Sequence, residues 1–415
     1  MKKFYTLSEV ADVLSVSKET LRRWDKSGKL LSVRQPINGY RVYSKESLRQ
    51  FDMLGFMFDE EPEVTVMKAK KKFSVLELFA GAGGLALGLE KAGLGCVLLN
   101  EIDKDACNTL RANRPNWNVV EGDVSTIDFT SYEGKVDVLT GGFPCQAFSY
   151  AGKKLGMEDV RGTLFYQFAR AVKETKPLIA IGENVRGLLS HDKGRTLQTM
   201  INVLDEIGYE VLPPKVLKAI FHRVPQKRER LIIVALRKDA GLSFEYPRPL
   251  KRVYTLKDAL KAGDLFDSDV PLSQGQKYPA RKKEILDLVP PGGYWRDLPI
   301  AIQKEYMLKS FYLSGGKTGM ARRISWEEPS LTLTCAPAQK QTERCHPDET
   351  RPFTVREYAR IQTFPDDWEF KGSQTSQYKQ IGNAVPVNLA EALGQSIVRC
   401  LNAVYEVSPV SKSKR

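Results

Sequence analysis

From Phe73 onward, short apolar runs alternate with stretches whose apolar positions recur every three to four residues. The runs Phe73–Phe79, Cys96–Asn100, Val136–Thr140, Leu178–Gly182 and Arg230–Arg237 predict strands. Between them, Leu85–Lys91, Lys104–Ala112, Thr163–Thr175 and Thr196–Ile207 carry helical spacing. Each crossover is long enough to return the chain for parallel pairing, so the pattern predicts an α/β sheet domain. Past Lys238 the alternation fades into a stretch rich in Lys, Arg, Tyr, Pro and Gly that runs to Arg323. Val387–Val404 predicts a last helix, and Ser408–Arg415 is a polar, basic tail expected to fray.

Residues 1–54 follow a different pattern. Leu7, Val10, Ala11 and Leu14 fall on one face of a short helix. Ser15–Ser17 makes a turn, and Lys18–Lys26 makes a second helix with Leu21 and Trp24 inside. Its outward side offers Lys18, Thr20, Arg22 and Arg23, the residue types a recognition helix sets into a major groove. Ile37–Tyr43 (INGYRVY) contains Asn-Gly, a strong hairpin signal, and predicts a small wing with Arg41 near a phosphate backbone. The run YTLSEVADVLSVSKETLRRWDKSGKL…GYRVYS resembles the winged helix-turn-helix of the MerR and excisionase type. The MerR dimerisation helix and effector domain have no counterpart, so effector-gated regulation does not carry over. The plainer alternative is a three-helix module used only for protein contacts. Residues 55–72 pass from an acidic to a lysine run without apolar period and read as a linker.

Composition narrows the possibilities. The 415 residues are 42% hydrophobic, enough for a sizeable core and too apolar for a disordered chain. Apolar runs such as Leu231–Leu236 are too short to cross a bilayer, and Met1–Tyr5 leads into a polar helical stretch rather than a signal peptide. Six cysteines without a CxxC pair do not make a disulfide framework. The expectation is a soluble protein of a reducing compartment, the cytoplasm, and basic charge alone leaves nucleic acid and an acidic membrane surface both open as its partner. Lys and Arg number 63 against 50 Asp and Glu, and 63 − 50 gives +13, which points to a polyanionic partner.

The candidate chemistry sits at strand ends. Phe73–Phe79 runs into AGAGGL (Ala80–Leu85), a turn whose glycines admit a ligand close to the backbone. Glu101, in Asn100-Glu101-Ile102-Asp103, follows about 20 residues later, where an acid suits a ribose diol. A third acid stands in Gly122-Asp123-Val124. The ordered set suits an adenosine-containing ligand. Cys145 lies in GGFPCQAFS directly after an apolar strand, where a thiolate can add to an electron-poor carbon. Cys96, Cys107, Cys335 and Cys400 read as inert core residues. Glu183 ends a strand on the same rim and can exchange a proton with a ring nitrogen. Arg228 and Arg230 lead into a buried strand and need an anionic or carbonyl partner; Arg230 with Glu183 is one such pairing. A zinc site from Cys335, Cys345 and His346 lacks the paired-ligand spacing, so no metal is expected.

FAGAGGL, NEID, GDV, GGFPCQAFS, ENV, PQKRER and QIGNAVPVN occur in the order and approximate spacing of the DNA (cytosine-5)-methyltransferases, which the chain resembles from Phe73 to about Val404. The resemblance implies a Rossmann-like, S-adenosylmethionine-dependent α/β methyltransferase fold with a smaller target-recognition domain, preceded by the winged helix-turn-helix. It places catalytic segments at 73–237 and 324–405, the target-recognition region at 238–323, and a flexible tail at 406–415. Phe79, Ala80, Gly81, Gly83, Gly84, Leu85, Glu101, Ile102, Asp123 and Val124 look like the cofactor pocket. Pro144, Leu164, Asn383, Ala384 and Val385 look like its closing contacts. Cys145 matches the nucleophile that attacks C6 of a flipped cytosine, and Glu183 the group that holds and protonates N3. Arg230, with Arg228 beside it, matches the arginine that steadies the base and Glu183. Gln146 and Ser149 fall on the loop that faces DNA. Glu77 departs from the family's usual Asp but keeps the charge. The glycine-bounded stretch 152–162 suits a lid over the flipped base.

Residues 238–323 hold 16 Lys and Arg against 10 Asp and Glu, interleaved with Tyr246, Tyr254, Tyr278, Tyr294 and Trp295, which suits phosphate and base contacts. Residues 1–52 hold 11 basic against 6 acidic, so 5 and 6 of the +13 fall in two DNA-facing candidates. The implied partner is double-stranded DNA, with no membrane. The chain's own promoter is a candidate for the winged helix, and a companion restriction endonuclease is expected from the family. Two other readings stay open: a tRNA cytosine-5-methyltransferase, and a transcriptional regulator built on a decayed enzyme.

Overall fold

The computed structural model describes residues 4–14, 16, 18–35, 39–58, 67–144, 160, 162–313 and 317–404. The chain divides into two compact units, Met1–Thr65 with Arg248–Val253, and Val66–Pro247 with Tyr254–Arg415.

The first unit holds strand β1 (Phe4–Thr6), helices α1 (Leu7–Leu14) and α2 (Lys18–Lys26), strands β2 (Val33–Arg34) and β3 (Arg41–Ser44), and helix α3 (Lys45–Arg49). Its sheet runs β1-β3-β2, and β2 pairs antiparallel with β3, the two sides of the expected wing. Val10, Ala11, Leu14 and Leu21 are buried, as the apolar face requires. Trp24 is half-buried and stacks on Phe51 with ring centroids 5.8 Å apart. Of the expected turn and wing, Ser15, Ser17, Ile37 and Asn38 lie outside the described residues.

The second unit begins with β4 (Ser74–Leu78), α4 (Gly84–Lys91), β5 (Gly95–Glu101), α5 (Lys104–Asn113), β6 (Val119–Glu121), β7 (Val138–Gly141), α6 (Leu164–Thr175), β8 (Ile179–Val185) and α7 (Arg195–Glu206). There follow β9 (Tyr209–Val211), β10 (Lys215–Lys218), β11 (Gln226–Lys227) and β12 (Glu229–Arg237). Strand β4 pairs in parallel with both β5 and β7, and β7 with β8. The sheet order is β10-β12-β8-β7-β4-β5-β6, with β9 also on β12. These strands are buried on both faces, which is why they read as near-continuous apolar runs. One face packs on α6 and α7 through Phe168, Val172, Met200 and Val203. The other packs on α4 and the last helix through Leu85, Leu89, Leu389 and Ile397.

One expectation fails. The strand at 229–237 pairs antiparallel with β8 rather than parallel. Strands β9 and β10 intervene after α7 and turn the chain, so that β12 enters the sheet from the opposite end.

In the remainder, irregular chain is interrupted by α8 (Leu256–Leu260), α9 (Ala280–Asp287), α10 (Ile300–Met307), the short strand β13 (Ser330–Leu331), α11 (Val355–Ile361), α12 (Gln374–Asn383) and α13 (Val387–Val404). Helix α8 shares a core with α11 and α12 through Leu256, Leu260, Tyr358, Phe364 and Ile381. A separate apolar cluster gathers Tyr278, Ile285, Leu286, Trp295, Met307 and Cys345. No helix among the described residues is long and apolar enough to cross a membrane.

Helix α13 lies against α4 so closely that the glycines of α4 act as packing surface. A Cβ on Gly84 would stand 2.3 Å from the carbonyl oxygen of Val385, and one on Gly88 would stand 2.4 Å from the Ala390 methyl. Gly84→Ala is therefore expected to lower stability by about 1–3 kcal/mol through overpacking, read as a lower melting temperature. An unchanged melting temperature would contradict this packing.

Candidate active site

The site forms along the carboxyl ends of β4, β5, β7 and β8, the rim where open α/β sheets place ligands. Strand β4 leaves through Phe79, whose φ of 59° is unusual for a residue with a Cβ. Gly81 follows at φ 54° with its backbone facing open space; a Cβ there would meet nothing within 4 Å. The Ala80 amide donates to the Asn100 carbonyl at 3.0 Å, tying the loop to β5. Gly83 stands at φ 84° before α4, and a Cβ there would meet Leu110 at 2.6 Å. Leu85 is buried in the core that α4 shares with α13.

Glu101 accepts the Gly81 amide at 2.7 Å and the Ile102 and Asp103 amides at 2.8 Å each. A carboxylate has roughly four lone-pair sites, so the oxygen facing Gly81 keeps one for a donor such as a ribose hydroxyl. Ile102 beside it is 70% exposed, an apolar platform at the mouth of the loop. Asp123 is exposed and accepts the Ser125 amide at 2.8 Å, which holds its carboxyl below the usual range, while Val124 is buried. Open space at Gly81, a spare acceptor on Glu101 and an exposed apolar side chain together fit an adenosine-type cofactor.

The chain leaves β7 through Gly142, Phe143 and Pro144. Asn184 donates to the Phe143 carbonyl at 2.8 Å, so the strand that carries Glu183 also anchors this segment. Pro144 is exposed. Cys145, Gln146, Ser149 and nearly all of 152–162 lie outside the described residues. Leu164 opens α6 and is half-buried.

Glu183 stands next to this strand end, and its Oε2 would lie 3.0 Å from a Cβ on Gly142. Its Oε1 forms an ion pair with Arg230 Nε at 2.5 Å, with both side chains largely buried. Burial lowers the Arg230 pKa, and Glu183 opposes that shift. Arg228 is buried too, and burial plus the Arg230 charge push it down to about 9. Its guanidinium donates to the carbonyls of Leu333 at 3.3 Å, Gly382 at 2.9 Å and Asn383 at 3.3 Å. Arg228 thus holds the QIGNAVPVN segment, and Arg230 holds Glu183. Asn383 is exposed, while Ala384 and the Val385 carbonyl rest on Gly84.

The family model of the C-5 cytosine-specific DNA methylases matches residues 73–399, the span in which this rim is built. The chain belongs to that family. A second family model, for MerR family regulatory proteins, matches residues 6–43. The Type II methyltransferase M.Eco47II of Escherichia coli is 67% identical over 97% of each chain. M.PspPI of Psychrobacter is 61% identical over 96% of this chain and 97% of its own. Among solved structures, a protein described as a DNA modification methyltransferase from an Escherichia coli prophage aligns at a TM-score of 0.56 with 25% identity, covering 80% of this chain and 99% of its own. The enzyme is thus a DNA cytosine-5-methyltransferase on an α/β fold.

Two expectations for this methyltransferase need correction, for the aromatic residues after Lys238 and for Cys335. Tyr254, Tyr278 and Trp295 are buried, and Tyr246 donates from its hydroxyl to the carbonyls of Pro213 and Ile232. These rings fill cores rather than waiting for bases. Cys335 is exposed, not core, and its Sγ lies 3.1 Å from Asn383 Oδ1. Among the described residues, no group of three His, Cys, Asp or Glu could hold a metal ion. On helix α2, Lys18, Arg22 and Arg23 are exposed, with Arg22 paired to Glu19 at 3.1 Å, and Thr20 is half-buried. Arg41 is held at 2.8 Å by Asp25, which also accepts from Ser32. Asn184 carries an anchoring role that only the ENV motif hinted at.

Proposed function

We propose that this methyltransferase extrudes a cytosine from duplex DNA and modifies it through the rim residues described above. Extrusion is needed because C5 and C6 are hidden in a stacked duplex. The Cys145 thiolate adds to C6, while the Glu183 carboxyl donates a proton to N3, so the electron pair displaced from the C5–C6 bond leaves C5 nucleophilic. S-adenosylmethionine supplies an electrophilic methyl group for C5 when bound. Loss of the C5 proton then restores the double bond and expels the Cys145 thiolate. Arg230 orients Glu183, and Arg228 acts as a positioning residue for 382–385. Gly81, Glu101 and Ile102 hold the adenosine part of the cofactor, with Phe79, Ala80, Gly83, Gly84, Leu85, Asp123 and Val124 shaping its pocket. Pro144, Leu164, Asn383, Ala384 and Val385 close it.

The observation that carries this reading is the Arg230–Glu183 pair beside the strand end that leads into Cys145. The cluster from Tyr278 to Cys345 is the scaffold of the target-recognition part, and Gln146 and Ser149 face the DNA. The relatives' names, Type II methyltransferases of bacteria, support a restriction-modification role; in this reading the chain works in a bacterial cytoplasm beside a companion endonuclease. Labelled methyl transfer to duplex DNA and to tRNA tests the substrate class; label in tRNA alone would overturn it.

The winged helix-turn-helix has a separate task in this reading, binding the chain's own promoter through Lys18, Thr20, Arg22 and Arg23, with Arg41 in the wing. Deleting residues 1–60 should leave site-specific methylation in place and remove promoter binding in a gel-shift assay. Loss of site-specific methylation on that deletion would contradict the division of labour.

A further inference from the structure

Helix α10 ends at Met307, and the chain turns through a short 3-10 segment, Leu308–Tyr312, into Leu313. Three residues of this stretch are large, apolar and exposed: Leu308 and Leu313 at 64% each, and Tyr312 at 77%. Tyr312 is the only exposed aromatic residue among the described residues of 238–323. A single exposed leucine is ordinary, but three apolar side chains within six residues form a patch.

Leu308 has φ 51° and ψ −136°, a conformation open to glycine that strains a leucine. Being exposed, its side chain gains little burial to offset that strain. The stretch is nevertheless held in one shape. Phe311 packs edge-on against the buried Trp295 with ring centroids 6.1 Å apart, and Tyr312 stands edge-on to Phe311 at 5.2 Å. The Lys317 ammonium donates to the carbonyls of Ser310 and Leu313, which fixes the loop on either side of Tyr312.

The surroundings are basic. Residues 306–326 hold Lys309, Lys317, Arg322 and Arg323 and no Asp or Glu. Arg322 pairs with Glu328, Arg323 donates to carbonyls of the fold, and Glu305 is paired to Arg281. Lys304 and Lys309 are exposed beside the patch. An apolar centre with a cationic margin matches bases set between phosphates. A second copy of the chain docked here by a twofold axis would bring the same lysines together.

We infer that Leu308, Tyr312 and Leu313 are base-contacting residues of this methyltransferase, with Lys309 on a neighbouring phosphate. This rests on the proposed extrusion of a cytosine from duplex DNA, because opening the stack frees base faces and edges for apolar and stacking contact.

The test uses the full chain and a duplex carrying the sequence that the wild type methylates, beside the same duplex with that sequence scrambled. Tyr312→Ala with Leu313→Ala should weaken the target duplex about tenfold or more and the scrambled duplex less than about twofold, with the salt dependence unchanged. Lys309→Ala should weaken both duplexes alike and lower the slope of log Kd against log salt by about one. Leu308→Gly relieves the backbone, so it should keep or raise the melting temperature while weakening the target duplex about threefold or more, a split that a purely structural role would not give. Target affinity within about twofold of the wild type in both apolar variants, or an equal loss on both duplexes, would overturn the inference. So would a wild-type dimer that the double variant dissociates with its DNA affinity intact. If the double variant does not fold, Leu308→Gly decides alone by the same comparison of duplexes. Absence of methyl transfer to any duplex by the wild type would instead overturn the proposed function.

Discussion

Cys145→Ser is expected to abolish methyl transfer, with a loss of roughly 10⁴-fold or more, on the scale seen when a covalent nucleophile is removed. The serine hydroxyl is a far weaker nucleophile at neutral pH than a thiolate, and without addition at C6 there is no electron-rich C5 to methylate. No histidine precedes or follows within the GGFPCQAFS loop to activate a hydroxyl in its place. Because the substitution removes only one atom's chemistry, folding and promoter binding should survive. Transfer from labelled cofactor and a promoter gel shift on the same preparation separate the two tasks. Residual transfer within tenfold of the wild type would exclude Cys145 as the nucleophile.

Glu183→Gln should reduce kcat by roughly 10²–10⁴-fold, the range for loss of a general acid. The amide is nearly the same shape and its oxygen can still face Arg230, so the pair's position should change little. It has no proton to give to N3, so addition at C6 lacks its electron sink. KM for cofactor and for DNA should move far less than kcat, since the glycine loop and Glu101 are held by other contacts. A kcat within threefold of the wild type would remove Glu183 from the proton-transfer role.

The parallel strands were legible because both faces are buried, which makes Val138-Leu139 or Ile179–Ile181 stand out as apolar runs. Helix α13 was legible end to end, since its apolar stripe spans several turns against α4. The short strands β9 and β10 were not, because three or four residues at a sheet margin carry too little period. Missing them reversed the direction expected for β12. The site was legible as a set of strand-end residues, since loops at the carboxyl rim keep their chemistry in short motifs. What those residues touch was not legible. Arg228 binds carbonyls from 105 to 155 residues away, and Gly84 is required by the Val385 carbonyl, a neighbour that nothing in AGAGGL announces. Composition misled in the region after Lys238. Its aromatic content looked like a base-contacting surface, yet Tyr254, Tyr278 and Trp295 are buried in the core.

The central claim is that this chain methylates C5 of cytosine in duplex DNA through Cys145. Bisulfite sequencing of DNA from a host expressing the chain, beside one expressing Cys145→Ser, tests it most directly. The account predicts protected cytosines at one recurring sequence with the wild type and none with the variant. Absence of protection with both chains, or equal protection with both, would contradict it.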